Sequence, residues 1–113
     1  MKMINLTPHE VKIFDDQNNI IATFPPSGQV ARVSVKRQKV GEVNGIPIYA
    51  NKFGEVQNLP PPQPDTVYIV SILVLQACPQ RSDLVAPDTT PAGAIRDEQG
   101  KIIGVRGFQV IRS

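Results

Sequence analysis

Eleven prolines and eight glycines are scattered through a chain of only 113 residues. Proline lacks a backbone N–H and clashes with a preceding helical turn, and glycine weakens helix and strand interiors alike. Punctuation this dense favours short strands and ordered loops over long helices. What lies between the breaks suits one modest core, with 41% of residues hydrophobic and 19% charged. The expected unit is a single β-rich domain over residues 1–113.

Several strands can be read from alternation. From Glu10 to Phe14, Val11 and Ile13 fall on one side, a half-buried strand pattern. Asp15-Asp16-Gln17-Asn18-Asn19 is a turn cluster and Ile20 to Phe24 a returning strand, so the pair reads as a β-hairpin. From Gln29 to Lys39, Ala31, Val33 and Val35 share one face and Arg32, Ser34 and Lys36 the other, which predicts one buried face and one wet, basic face. Asn44-Gly45, between Val40 to Val43 and Ile46 to Tyr49, is the strongest hairpin signal, because both residues tolerate the positive φ of a type I′ turn.

The connector Leu59-Pro60-Pro61-Pro62-Gln63-Pro64 spans 59–64 and reads as an extended surface spacer, with recognition by a proline-reading partner as the alternative. Val67 to Val70 reads as a buried strand and Ser71 as the cap of a short helix ending near Cys78 and Pro79; a continuous strand is the other reading. Further on, Ala94 to Gly104 repeats the pattern of Ile13 to Ala22 in register, with acidic residues opening a turn and paired isoleucines restarting a strand. Shared turn chemistry accounts for this, and internal duplication is the alternative.

Catalytic machinery is sparse. His9 is the sole histidine and Cys78 the sole cysteine, so there is no zinc-ligand set and no internal disulfide. Cys78 reads as a small core residue, and His9 either as a structural residue or as a ligand contact. No Gly-rich phosphate loop is present, and no metal or cofactor is expected. A formal charge of +2 is weak for a nucleic-acid binder. The basic face of Arg32, Lys36, Arg37 and Lys39 lacks interleaved aromatics, so nucleic acid is not an expected partner. The apolar run Val67 to Cys78 is shorter than the roughly 20 residues of a membrane span. With one cysteine and no signal peptide evident, the expected location is the cytoplasm.

From Pro79 to Arg106 the chain gathers Arg81, Asp83, Asp88, Arg96, Asp97 and Arg106 around Pro79, Pro87 and Pro91. Arginine presents a rigid fork of donors suited to phosphate, and aspartates can hold that fork or accept from sugar hydroxyls. Stiff loops carrying such groups suit binding better than catalysis. Local ion pairs pinning the loops are the alternative, each contributing about 0–1 kcal/mol on an exposed surface. The candidate ligand-binding set is Arg32, Ser71, Arg81, Asp83, Asp88, Arg96, Arg106 and His9, with no catalytic residue.

These residues lie within a pattern that extends along the chain: Asn5-Leu6-Thr7-Pro8-His9, Pro26-Ser27-Gly28-Gln29-Val30-Ala31-Arg32, Phe53-Gly54-Glu55-Val56, Tyr68-Ile69-Val70-Ser71, Pro79-Gln80-Arg81-Ser82-Asp83 with Pro87-Asp88, and Ile95-Arg96-Asp97 through Gly104-Val105-Arg106. In this the chain resembles a family of small proteins encoded by phages, prophages and some bacteria. The resemblance implies a genomic setting rather than a mechanism. A compact phage accessory protein without a catalytic set is similar in kind to viral sponge proteins, which sequester cyclic nucleotides or ADP-ribose derivatives used as bacterial immune signals. On that analogy the arginines would hold phosphates, while Asp83, Asp88 or Ser71 would meet ribose or base. A pocket in so small a chain is most easily enclosed at a symmetric interface, so at least a homodimer is expected.

The expected fold is a mainly antiparallel β sandwich or small barrel of two or three hairpins with one short helix. The expected function is non-catalytic capture of an anionic nucleotide-derived small molecule. A structural or protein-interaction module with no such ligand is the first alternative, and an enzyme using His9 as base the second.

Overall fold

In the computed structural model, which describes residues 1–111, the alternating segments form strands and the runs of turn residues join them. Strands β1 (Lys2–Asn5), β2 (Val11–Phe14) and β3 (Ile20–Phe24) come first, then the long pair β4 (Arg32–Val43) and β5 (Ile46–Gln57). β6 (Thr66–Ile69), helix α1 (Ile72–Ala77), β7 (Leu84–Pro87), β8 (Ala94–Arg96), β9 (Ile102–Val105) and β10 (Phe108–Gln109) follow. The protein is mainly β with one short helix, as its composition and alternation predict, and no sheet closes into a barrel.

Two four-stranded sheets face one another, ordered β1-β6-β7-β10 and β3-β2-β9-β8. Side chains of β6 alternate across the first sheet. Tyr68 and Val70 point toward α1, joining Leu6, Val74, Leu75, Leu84 and Ala86 in one apolar cluster. Ile69 points the other way, to Val11, Ile13 and Val105 of the second sheet. Past Thr66 the segment to Val70 is thus apolar throughout because both its faces are covered, the pattern of a buried parallel strand. The hairpins β2–β3 and β8–β9 are antiparallel, whereas β1–β6, β6–β7 and β2–β9 pair in parallel. The parallel contacts join segments far apart in sequence, where no hairpin pattern signals them.

Ser71 caps α1, its side-chain oxygen accepting from the Val74 N–H at 3.3 Å. The apolar run is therefore strand followed by two helical turns, a β6-α1-β7 crossover rather than one continuous strand. The predicted repeat is also visible in bonds. Asp15 Oδ1 accepts from Gln17 N and Asn19 N, and Asp97 Oδ1 accepts from Gln99 N and Lys101 N, all at 2.9 Å. Asn18 and Gly100 occupy matching left-handed positions at φ 62° and 81°.

β4 and β5 form a sheet of their own, turning at Asn44 and Gly45 with φ 53° and 78°. The predicted burial of the Ala31, Val33 and Val35 face holds only at the root. Ala31 is buried and Val33 packs against the core, but Val35 is exposed, and beyond it the arm is wet on both faces apart from half-buried Phe53. The radius of gyration is 16.2 Å, against about 13 Å for a compact chain of this length.

Candidate functional site

The ladder between β2 and β9 has one registered pair, Ile13 with Val105. Residues 7–12 and 100–105 line one cleft of about 900 Å³, together with Ser71 and Ile72 at the head of α1. Three residues singled out in the sequence, His9, Ser71 and Arg96, border this one cleft. Two cations that sequence reasoning missed, Lys12 and Lys101, border it with them. Lys12 reads in isolation as the wet face of a hairpin and Lys101 as a turn residue; the parallel pairing that brings them together has no local signature.

The wall carrying His9 is held by a compact knot. Asn5 Oδ1 accepts from the Thr7 N–H at 2.9 Å, and Asn5 Nδ2 donates to the carbonyls of His9 and Phe24 at 2.8 and 2.9 Å. The Thr7 hydroxyl lies 2.7 Å from Asn5 Oδ1 and 3.0 Å from the His9 carbonyl. Asn5 and Thr7 are buried. The Asn-Leu-Thr-Pro-His sequence is thus a device that fixes the main chain of His9 and leaves its side chain exposed at the cleft.

Arg96, exposed, donates from Nη1 to the Gly100 carbonyl at 2.6 Å, which orients its guanidinium. Lys12 has one carboxylate neighbour, Glu10 at 3.7 Å, in a half-exposed pair. Val11, Ile72 and Val105 give the lining apolar surface, and Glu10 adds a carboxylate to it. Cations beside apolar surface suit a ligand with anionic groups attached to a flat or apolar body.

The remaining arginines and aspartates are not gathered into one receptacle, contrary to expectation. Arg81 forms a bidentate pair with Asp83, Nε to Oδ1 and Nη2 to Oδ2 both at 2.8 Å, and Nη2 also donates to the Pro60 carbonyl at 3.0 Å. The guanidinium holds the Asp83 carboxyl below the usual carboxylate range, and the carboxylate raises Arg81 in return. Its fork is spent on architecture, fastening the proline connector to the loop after α1. Pro61 is tied too, accepting from the Tyr68 hydroxyl at 3.3 Å.

Arg106 donates to the Asp15 carbonyl and to Asn18 Oδ1, clamping the β2–β3 turn. Asp88 closes its own turn by accepting from Thr90 N and Oγ1. Arg32 stands exposed where the arm begins. Arg32, Asp83, Asp88 and Arg106 do not border the cleft. The local ion-pair reading therefore describes Arg81 with Asp83. Arg96 is free of its sequence neighbour Asp97, which folds its own turn.

A second cavity, of about 630 Å³, lies beside Arg81 and is lined also by Pro79, Leu84 and Val110. Burial pushes the Cys78 thiol up from its ordinary value, the condition of an unreactive core cysteine. Among the described residues no three of His, Cys, Asp and Glu converge as metal ligands, and no helix is long and apolar enough to cross a membrane. Comparison of the chain with protein-family models, curated proteins and solved structures finds no match.

Proposed function

We propose that this chain is a non-catalytic binding protein of phage type that captures an anionic, nucleotide-derived small molecule, a cyclic nucleotide or an ADP-ribose-type immune signal, and so counters bacterial defence. The observation that carries the reading is the meeting of His9, Lys12, Arg96 and Lys101 in the lining of one largely apolar cleft, with Glu10 as its one carboxylate among the described residues. Arg96, preset by Gly100, and Lys101 engage phosphate. Lys12 adds charge without a fixed geometry, and His9 and the Ser71 hydroxyl meet sugar or base. Ser71 accepts from the helix it caps, so its own proton is free to be donated.

Sequestration asks for affinity rather than turnover, and a prearranged lining lowers the ordering cost of binding. The setting is the cytoplasm of an infected host, where such signals act. The test is a thermal-shift titration with cyclic di-AMP, ADP-ribose and inorganic phosphate. Ligand held by the folded form raises Tm with concentration; the reading predicts a rise with a nucleotide that Arg96→Ala combined with Lys101→Ala abolishes. Tm unmoved by every nucleotide rejects it.

One observation favours the alternative of a structural or protein-interaction module without a small ligand. The β4–β5 arm displays Val40, Val43, Ile46 and Ile48 to water, and exposed apolar surface of that kind marks contact with another macromolecule.

A further inference from the structure

The arm and one face of the body are complementary surfaces of the same chain. Val43 pairs with Ile46 and Gly41 with Ile48 across the ladder, so these apolar residues share one face of the tip; nearer the root Lys36 pairs with Lys52 on that face. Two ammonium groups directly opposite each other repel, and neither has an ion-pair partner among the described residues. An isolated two-stranded ribbon is marginal in water. The arm therefore presents an apolar tip and an unneutralised lysine pair, and it lacks a covering layer.

The outer face of the β3-β2-β9-β8 sheet offers an apolar strip of its own. Phe14 alternates away from the core-facing Ile13, Ile20 sits opposite it in register, and Ile95 sits opposite Gly104. A Cβ on Gly104 would run into the Phe14 ring, so that ring lies along this face. Phe14 and Ile95 belong to neither apolar cluster, and Ile20 is 53% exposed. Asp15 and Asp16 follow β2, and Asp97 and Glu98 follow β8. Arg106 clamps the first turn and Arg96 and Lys101 bracket the second, which leaves exposed Asp16, without an ion-pair partner among the described residues, as the free carboxylate beside Ile20.

We infer that the β4–β5 arm of one copy docks on this outer face of a second copy, its tip over Phe14, Ile20 and Ile95 and its Lys36–Lys52 pair against the turn that carries Asp16. From Ile48 to Lys52 the arm covers about 13 Å, the span of the four-residue strands it would lie on. Arm against arm is disfavoured by charge, since residues 32–57 hold five cations (Arg32, Lys36, Arg37, Lys39 and Lys52) against Glu42 and Glu55. The contact is heterologous, tip to face; made twice about a two-fold axis it gives a reciprocal pair, and made once per copy it gives a ring or an open chain. It stands independently of ligand capture.

Sedimentation velocity over a concentration series, without nucleotide, tests it. Wild-type protein is expected to associate. Ile46→Lys with Ile48→Lys spoils the arm and Asp16→Lys with Ile20→Lys spoils the face; all four positions are exposed, and an unchanged far-ultraviolet circular dichroism spectrum certifies the fold, since loss of association by itself lowers Tm. Each double variant is expected to weaken self-association about tenfold or more. An equimolar mixture of the two restores a one-to-one complex, because one intact arm meets one intact face. A monomeric wild type, a face variant that still associates, or a mixture that stays monomeric overturns the proposal.

Discussion

The β2–β3 hairpin and the β4–β5 arm are built with the same local chemistry and meet different fates. Both turn on left-handed residues and both alternate, yet Val11 and Ile13 are buried against Ile69 whereas Val43 and Ile46 stand in water. Turn and period decide that a hairpin forms; only a facing layer decides whether its apolar side is core. The short hairpin has that layer within the chain, and the arm outruns it just past Val33.

The contrast breaks most easily in the core. Leu84→Ala is expected to cost about 2–5 kcal/mol, and Ile46→Ala at the arm tip no more than about 0.5 kcal/mol, by denaturant unfolding. A large loss at Ile46, measured at concentrations where the protein is monomeric, would mean that the arm is covered within the monomer. Glycines sharpen the point. Gly104→Ala drives a methyl into the Phe14 ring and should cost about 1–3 kcal/mol, whereas a Cβ at Gly41 of the arm meets nothing within 4 Å, and Gly41→Ala should leave unfolding nearly unmoved.

Between these extremes lies Arg81→Ala, which strands the half-buried Asp83 and frees Pro60, at about 1–3 kcal/mol. Gly45→Ala strains a residue at φ 78°. Amide exchange in residues 40–50 should accelerate while Tm holds, if the arm is its own cooperative unit.

The smallest effect is in pH. Asp83 is lowered in the folded state, so its contribution is complete above the unfolded value of about 3.9 and is lost as pH falls through the folded one. Wild-type stability should therefore fall more steeply below about pH 4 than that of Asp83→Asn, and parallel acid limbs would deny the pair a role.

Much of the fold was legible because local rules carry it. Asn44-Gly45 placed the arm's turn, Ser71 the helix start, and the repeat at Asp15 and Asp97 two turns that bond identically. The site was half legible. His9, Ser71 and Arg96 were named from residue chemistry, but their meeting depends on the parallel β2–β9 contact, which joins Ile13 to Val105 and leaves no mark in either segment. For the same reason Lys12 and Lys101 were missed. Arg81 and Arg106 were read as ligand donors because a guanidinium bound to carbonyls and one free for phosphate look alike in sequence; the carbonyls that occupy them, from Pro60 and Asp15, are remote along the chain.

The central claim is that the cleft between β2 and β9 holds a nucleotide-derived anion, and isothermal titration of cyclic di-AMP and ADP-ribose into the protein tests it most directly. The account predicts saturable heat with one of them, weakened about tenfold or more by Arg96→Ala and unchanged by Arg106→Ala, whose guanidinium clamps a turn outside the cleft. Absence of heat with both, or binding that survives Arg96→Ala and vanishes with Arg106→Ala, would contradict it.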